Sequence, residues 1–267
     1  MDLELRGRRA LVTGSSSGIG EAIAKALARE GARVVVHGRN ERSAARVAEE
    51  IARTGGTAFV ATGDLQTDAG AGRVVDRALA DLGGVDILIN NAGEFPLRGW
   101  AEATPEDWSS LYNVNLVSMV RVVRCLVPQM KALSWGRIIQ ISSGVATSPN
   151  AVMPDYSATK AATVNLTVSL ARELAGTGIT VNTVSPGAIV TPGWTALAKA
   201  GAAALGWSGD LTAIERHLLE GPLRNPVGRL GRVEDVAAVV AFLASPRADY
   251  VNAANIRVDG GLTHAIN

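Results

Sequence analysis

The sequence predicts a doubly wound α/β fold built on a parallel sheet. Three observations carry this expectation. Short, continuously apolar segments alternate strictly with longer segments of helical period. Those apolar segments lack the in–out alternation of a half-exposed sheet, so both their faces are covered. That is the condition of a parallel sheet between two helix layers. Finally, 267 residues suit one α/β unit, and neither a linker nor an internal repeat divides them.

The elements follow in order. Ala10–Val12 is a buried strand that runs into the turn at Thr13-Gly14. Ile19, Ala22, Ile23, Ala26 and Leu27 give helical spacing up to Arg29, and Gly31 stops the helix. Strand 33–36, the charged amphipathic helix 41–53, strand 58–61, helix 69–82 and strand 86–89 continue the rhythm. Thr104-Pro105-Glu106-Asp107 marks a helix start: an N-cap, a proline in the first turn, then acids at the positive end. That helix extends to about Lys131, followed by strand 137–141, helix 156–175, strand 179–184, helix 233–244 and strand 256–258. Seven strands result, in a single domain over 1–267. Residues of about 191–225 interrupt the alternation and read as a lid over a site.

Composition excludes several classes. With 47% hydrophobic and 19% charged residues the chain is not disordered. Lys+Arg total 26 against Asp+Glu 25, so the basic excess of a nucleic-acid binder is missing. Cys125 is the single cysteine, which excludes an internal disulfide and a cysteine metal cluster; it reads as buried filler, and no metal is expected. Residues Met1–Arg6 are charged from the start, unlike a secretion signal, and no apolar stretch approaches the ~20 residues of a membrane span. A cytoplasmic protein without a membrane partner is the expectation.

Gly14-Ser15-Ser16-Ser17-Gly18-Ile19-Gly20 joins the first strand to the first helix. Glycines there let backbone approach a ligand, and the helix N-terminus favours an anion. A merely tight turn would use the same residues, but the strand-before, helix-after context favours a phosphate cradle. NAD sites usually place an acid after the second strand to hold the ribose 2′-hydroxyl. Here the chain reads His37-Gly38-Arg39-Asn40. Arg39 can grip a 2′-phosphate instead, so NADP(H) is preferred and NAD(H) stays possible.

Tyr156 and Lys160 stand four apart and share a helix face. An ammonium beside a phenol favours the tyrosinate. Moving the phenol from near 10 to near 7 takes about 4 kcal/mol; one partly buried lysine can supply much of that and an oxidised nicotinamide adds a second positive charge, so a lowered tyrosine is expected. This pair alone is weak, since the spacing is common on ordinary exposed helices.

The ordered set of motifs is specific. Thr13-Gly14-x-x-x-Gly18-Ile19-Gly20, Asn90-Asn91-Ala92-Gly93, Asn115, Ser143, Tyr156-x-x-x-Lys160, Pro186-Gly187 and Asp259-Gly260-Gly261 occur in that order. Over about residues 6–263 the chain resembles the classical short-chain dehydrogenase/reductase family. The resemblance implies a single Rossmann domain and an oxidoreductase that moves a hydride between NADP(H) and a carbonyl or secondary alcohol. It implies Asn115, Ser143, Tyr156 and Lys160 as the catalytic set: Asn115 anchoring a water, Ser143 holding the substrate oxygen, Tyr156 as acid and base, Lys160 on the nicotinamide ribose. Ser143 rather than Ser142 takes that role because it lies 13 residues before Tyr156. Cofactor contacts implied are Gly14, Ser16, Ser17, Gly18, Ile19 and Gly20 at the phosphates; Asp64 and Leu65 at the adenine; Asn91, Ala92 and Gly93 at the adenine ribose. Pro186, Gly187, Ile189 and Thr191 follow along the nicotinamide. Family members usually form homotetramers.

Two positions depart from the family pattern. Thr147 and Ala253 stand where glycine is frequent. His217 and His264 are isolated and read as solvated or locally satisfied; Trp100 and Trp108 read as packing residues. Trp194 and Trp207 either line the pocket or pack the lid. The substrate stays open between a 3-oxoacyl thioester and a sugar, polyol or small ketone. A non-catalytic NADP(H) sensor of the same fold is the alternative.

Overall fold

In a computed structural model, which describes residues 1–204, 206–207 and 210–265, seven parallel strands form one sheet. They are β1 (Arg9–Val12), β2 (Arg33–Gly38), β3 (Thr57–Thr62), β4 (Ile87–Asn90), β5 (Gly136–Ile141), β6 (Ile179–Pro186) and β7 (Asn255–Val258). Their order is β3-β2-β1-β4-β5-β6-β7. The chain therefore reverses direction across the sheet between β1 and β4. In open α/β sheets a crevice forms at that point, outside the carboxyl ends of the strands.

The apolar runs are continuous because each strand feeds two cores. Val12, Val34, Val36, Ile87 and Ile89 pack on one face, under α1 (Gly18–Arg29), α2 (Glu41–Arg53) and α9 (Val233–Ala244). Leu11, Val35, Leu88 and Ile138 face the opposite core, under α3 (Asp68–Leu82) and α5 (Ser118–Leu133). α6 (Pro154–Glu173) follows the short helix α4 (Pro105–Tyr112) and α5, and adds Ala171 to that second core.

Several expectations are corrected here. Between α4 and α5, residues Asn113–Val117 form a π-turn, so the run 105–133 is one continuous helix with an irregular centre. This 29-residue run contains an 18-residue window of mean hydropathy 1.2, long and apolar enough to cross a membrane, where no such stretch was expected. Its inward stripe, Val122, Val123, Leu126 and Met130, packs in the second core. Cys125 lies outside that stripe and is exposed, not buried. Trp100 packs its ring on that of Trp108, 5.5 Å between centroids, but at the surface, where it is 71% exposed. The 191–225 segment holds two helices that the alternation hid, α7 (Pro192–Ala204) and α8 (Leu211–Glu220). Leu205, Ser208 and Gly209 of that segment lie outside the described residues. Trp207 packs there on His217, whose Nδ1 meets the carbonyl of Ala213 at 2.8 Å.

Ala253 is backbone-strained. Its φ is +58°, the left-handed region that glycine adopts without cost. The peptide is held there by its N–H, which donates to the Val181 carbonyl at 2.8 Å. Ala253→Gly is expected to stabilise the fold by about 1 kcal/mol, because a Cβ in that region costs roughly that much. A urea melt checks it: a higher midpoint at unchanged slope is expected.

Candidate active site

The crevice at the β1/β4 reversal opens into a cavity of about 1360 Å³. A single small ligand fills roughly 300–1,000 Å³. This space therefore has room for a dinucleotide and a second, smaller molecule.

One end is built from the glycine loop. Asn91 fastens it: its side-chain amide donates to the carbonyls of Thr13 at 3.0 Å and Gly14 at 2.9 Å. The Thr13 hydroxyl in turn accepts from the backbone N–H groups of Asn91 and Ala92. These bonds lock the ends of β1 and β4 together. Gly14 sits at φ +63°, and a Cβ on it would stand 2.8 Å from the Ala92 Cα. A Cβ on Gly20 would stand 2.4 Å from the Gly14 carbonyl oxygen. Gly20 thus lets α1 dock on the loop rather than touching the cavity.

His37, which the sequence reading passed over, is the floor of this loop. Its Nδ1 accepts from the Gly14 N–H at 3.0 Å and its Nε2 reaches the Gly63 carbonyl at 3.2 Å. The ring is therefore neutral, with its proton on Nε2. Burial pushes its pKa down, with Arg39 adding to the effect. Next to it, a Cβ on Gly38 would fall 2.8 Å from the Ser16 hydroxyl. The loop leaves no room for an acidic side chain at that position. Arg39 extends past it at the cavity edge, 65% exposed, with one ion-pair partner, Glu94, at 3.2 Å. Glu94 is a second wall residue that motif reading missed.

The other end holds the reactive groups. Ser143 follows β5 with extended backbone, and Tyr156 and Lys160 lie in the first turns of α6. All three line the cavity. Ser142 also reaches the wall, but its hydroxyl donates to the Lys160 carbonyl at 2.9 Å and so ties β5 to α6. Lys160 is 5% exposed, and its Nζ donates to the Ile141 carbonyl at 2.9 Å. Burial lowers its pKa to about 8. The tyrosine departs from the expected direction. Burial pushes the Tyr156 phenol up to about 12, only partly opposed by a hydrogen bond with Ser143. Nζ stands 5.5 Å from the phenol ring centroid, too far to offset the desolvation of the phenolate.

Asn115 lies behind the wall, in the π-turn, and does not line the cavity. Both protons of its amide are engaged, by the Glu94 carbonyl at 2.9 Å and the Thr159 hydroxyl at 3.2 Å. Its Oδ1 accepts from the Glu94 N–H at 2.8 Å. Gly93 permits this packing, since a Cβ there would stand 2.9 Å from that oxygen. Apart from Gly20 and Asn115, every catalytic or cofactor-contact residue expected from the sequence lies on the cavity wall: Gly14, Ser16, Ser17, Gly18, Ile19 and Arg39, then Asp64, Leu65, Asn91, Ala92 and Gly93. Ser143, Tyr156, Lys160, Pro186, Gly187, Ile189 and Thr191 complete the set. Trp194 lines it as well, and so does His264, which is exposed but borders this space rather than standing isolated.

A model of the short chain dehydrogenase family matches residues 8–201. The chain belongs to the short-chain dehydrogenase family. It is 37% identical over 263 residues to a 3-oxoacyl-[acyl-carrier-protein] reductase of Vibrio cholerae, covering 97% of this chain and 99% of that one. It is 36% identical over 266 residues to the oxidoreductase YvrD of Bacillus subtilis, across the full length of both. In structure it superposes with a TM-score of 0.94 on L-sorbose reductase from Gluconobacter frateurii complexed with NADPH and L-sorbose, at 34% identity and full coverage of both chains. The family match ends within α7, so α8, α9 and β7 lie beyond it.

Proposed function

We propose that this short-chain dehydrogenase is an NADP(H)-dependent oxidoreductase that interconverts a carbonyl and a secondary alcohol. One observation carries the reading: a phenol, a hydroxyl and a buried ammonium converge on a cavity whose other end is a glycine cradle at a helix N-terminus. The residues fit a dinucleotide, because one continuous cavity runs from the glycine loop at the N-terminus of α1 past Asp64 and Asn91 to Tyr156 and Lys160. Gly14, Ser16, Ser17, Gly18 and Ile19 would hold the phosphates. Asp64 and Leu65 would flank the adenine, and Asn91, Ala92 and Gly93 its ribose, with the Asn91 side chain already spent on the loop. Pro186, Gly187, Ile189 and Thr191 would flank the nicotinamide, which supplies the hydride when bound. Arg39 would meet the 2′-phosphate of NADP, while the absence of an acid leaves NAD use possible. The relatives crystallised with NADPH or NADP, and one with NADH, support this order.

The chain's own groups handle the proton. Ser143 and Tyr156 donate hydrogen bonds to the carbonyl oxygen as negative charge develops on it. Burial keeps the Tyr156 hydroxyl protonated at neutral pH, which is the form that can give its proton to that oxygen. Lys160, its pKa lowered by burial to about 8 and so still mostly protonated at neutral pH, holds positive charge beside the phenolate that forms. The Asn115 side chain is engaged by Glu94 and Thr159, which supports its main-chain carbonyl as the group that would anchor a water.

α7 and α8 form a lid over about residues 191–225 of a single domain, and Trp194 at the cavity wall supports this. The substrate is a 3-oxoacyl thioester or a sugar, polyol or small ketone; relatives of both kinds match over nearly the whole chain. A homotetramer is part of the reading, supported by partly exposed Val117 and Val120 beside the outer face of α5. So is a cytoplasmic location, supported by an exposed, unpaired thiol at Cys125. A non-catalytic sensor would bind NADPH without turnover.

Two measurements test the reading. NADPH oxidation over acyl thioesters, ketoses and cyclic ketones is expected to find turnover, which Tyr156→Phe lowers at least about 100-fold while NADPH binding persists. Retained turnover would mean another acid acts, and no turnover in the wild type would favour the sensor. Arg39→Asp is expected to weaken NADPH binding at least about tenfold more than NADH binding; equal losses would remove Arg39 from the 2′-phosphate site.

A further inference from the structure

A second ionic device lies behind Tyr156. Asp155, the residue before it, is 0% exposed and sits in the first turn of α6. Its Oδ1 accepts from the Tyr156 N–H at 2.7 Å, and its Oδ2 accepts from Arg98 Nε at 2.8 Å. Arg98 also donates through Nη1 to Asp107, the carboxylate that caps α4 together with Thr104. Its own N–H donates to the Val152 carbonyl at 3.0 Å, which fastens the stretch just before α6. One guanidinium fork therefore joins the first turns of α4 and α6. Its loop also carries Glu94, which clasps Asn115, and Phe95, whose ring lies 6.4 Å from that of Tyr156.

A fully buried carboxylate is costly unless it is paired and hydrogen-bonded. Helix capping does not require it here, because a solvent-exposed acid at that position would serve the helix dipole equally. What burial adds is direction. The fork has a fixed planar geometry, so it fixes Asp155, and through the 2.7 Å bond it fixes the peptide that carries Tyr156. We infer that Arg98, acting through Asp155, is a positioning residue that sets the Tyr156 hydroxyl against the substrate oxygen. This rests on the reading of Tyr156 as the acid. Arg98 and Asp155 do not line the cavity, so they would affect the rate and leave the dinucleotide alone.

Arg98→Met, Asp155→Asn and the double variant are compared in kcat, NADPH dissociation constant and thermal midpoint, with Tyr156→Phe as control. Arg98→Met is expected to lower kcat about tenfold or more, since small misplacements of reacting groups carry large rate penalties. Its NADPH affinity should stay within about twofold. The double variant removes the lone buried charge, so its thermal midpoint should recover while kcat stays low. Asp155→Asn keeps the shape of the side chain and should give the same kcat loss if Arg98→Met does not fold. Wild-type kcat in Arg98→Met, recovery of kcat together with the midpoint in the double variant, or an equal loss of NADPH affinity would each overturn the inference. If Tyr156→Phe itself keeps turning over, the underlying reading fails instead; if it is inactive while the Arg98 and Asp155 variants run normally, only the positioning role fails.

Discussion

An ammonium held out of water loses solvation unless other groups take its protons, and Lys160 is 5% exposed with the Ile141 carbonyl as its hydrogen-bond partner among the described residues. Among the described residues no carboxylate pairs with it. Two of its three protons are left for the cavity it lines. The surroundings are arranged to hold it in that place. β5 supplies the Ile141 carbonyl, Ser142 ties β5 to the Lys160 backbone, and Gly93, just after β4, leaves space for the Asn115 side chain beside it. An uncompensated cation of this kind makes sense on the wall of a site that receives hydroxyls and developing negative charge, and little sense elsewhere.

The second constraint is the seam between β1 and β4. The sheet order puts these neighbours where the chain reverses, and the bonds between Thr13, Gly14 and Asn91 close the seam at its carboxyl end. His37 supports the same loop from below in its neutral form. Burial lowers its pKa, so the folded loop resists a proton that the unfolded chain accepts below about 6.5. This contribution to stability is complete above that value and is lost as pH falls through the lower folded pKa. The loop and the ammonium thus occupy opposite ends of one crevice, both fixed by main-chain carbonyls rather than by flexible ion pairs.

Most of the fold was legible, because strand periodicity and helix caps are local. The helix 41–53 and its asparagine N-cap, or the capped start at Thr104, need no tertiary information. The wall residues were legible only through the ordered motifs. What stayed hidden depends on three-dimensional neighbours. That the Asn115 side chain is spent on Glu94 and Thr159 behind Gly93 could not be read from its motif. The phenol moves up rather than down because desolvation outweighs an ammonium 5.5 Å from its ring. Cys125 has apolar neighbours in sequence, yet the buried stripe passes through Val122 and Leu126 and leaves it outside. α7 was missed because its Ala- and Gly-rich stretch carries little periodicity, whereas α8, capped by Asp210 with Leu211, Ile214 and Leu218 at helical spacing, was legible and passed over.

The central claim is that the cavity holds Tyr156 as a half-buried, protonated donor beside a cation. Tyrosinate absorbance, titrated in the wild type and in a Tyr156→Phe variant and subtracted, isolates this phenol from Tyr112 and Tyr250. The account expects it to ionise near pH 12 in the free protein and clearly lower once NADP⁺ saturates the site. A phenol that titrates at the ordinary value of about 10, indifferent to NADP⁺, would contradict it.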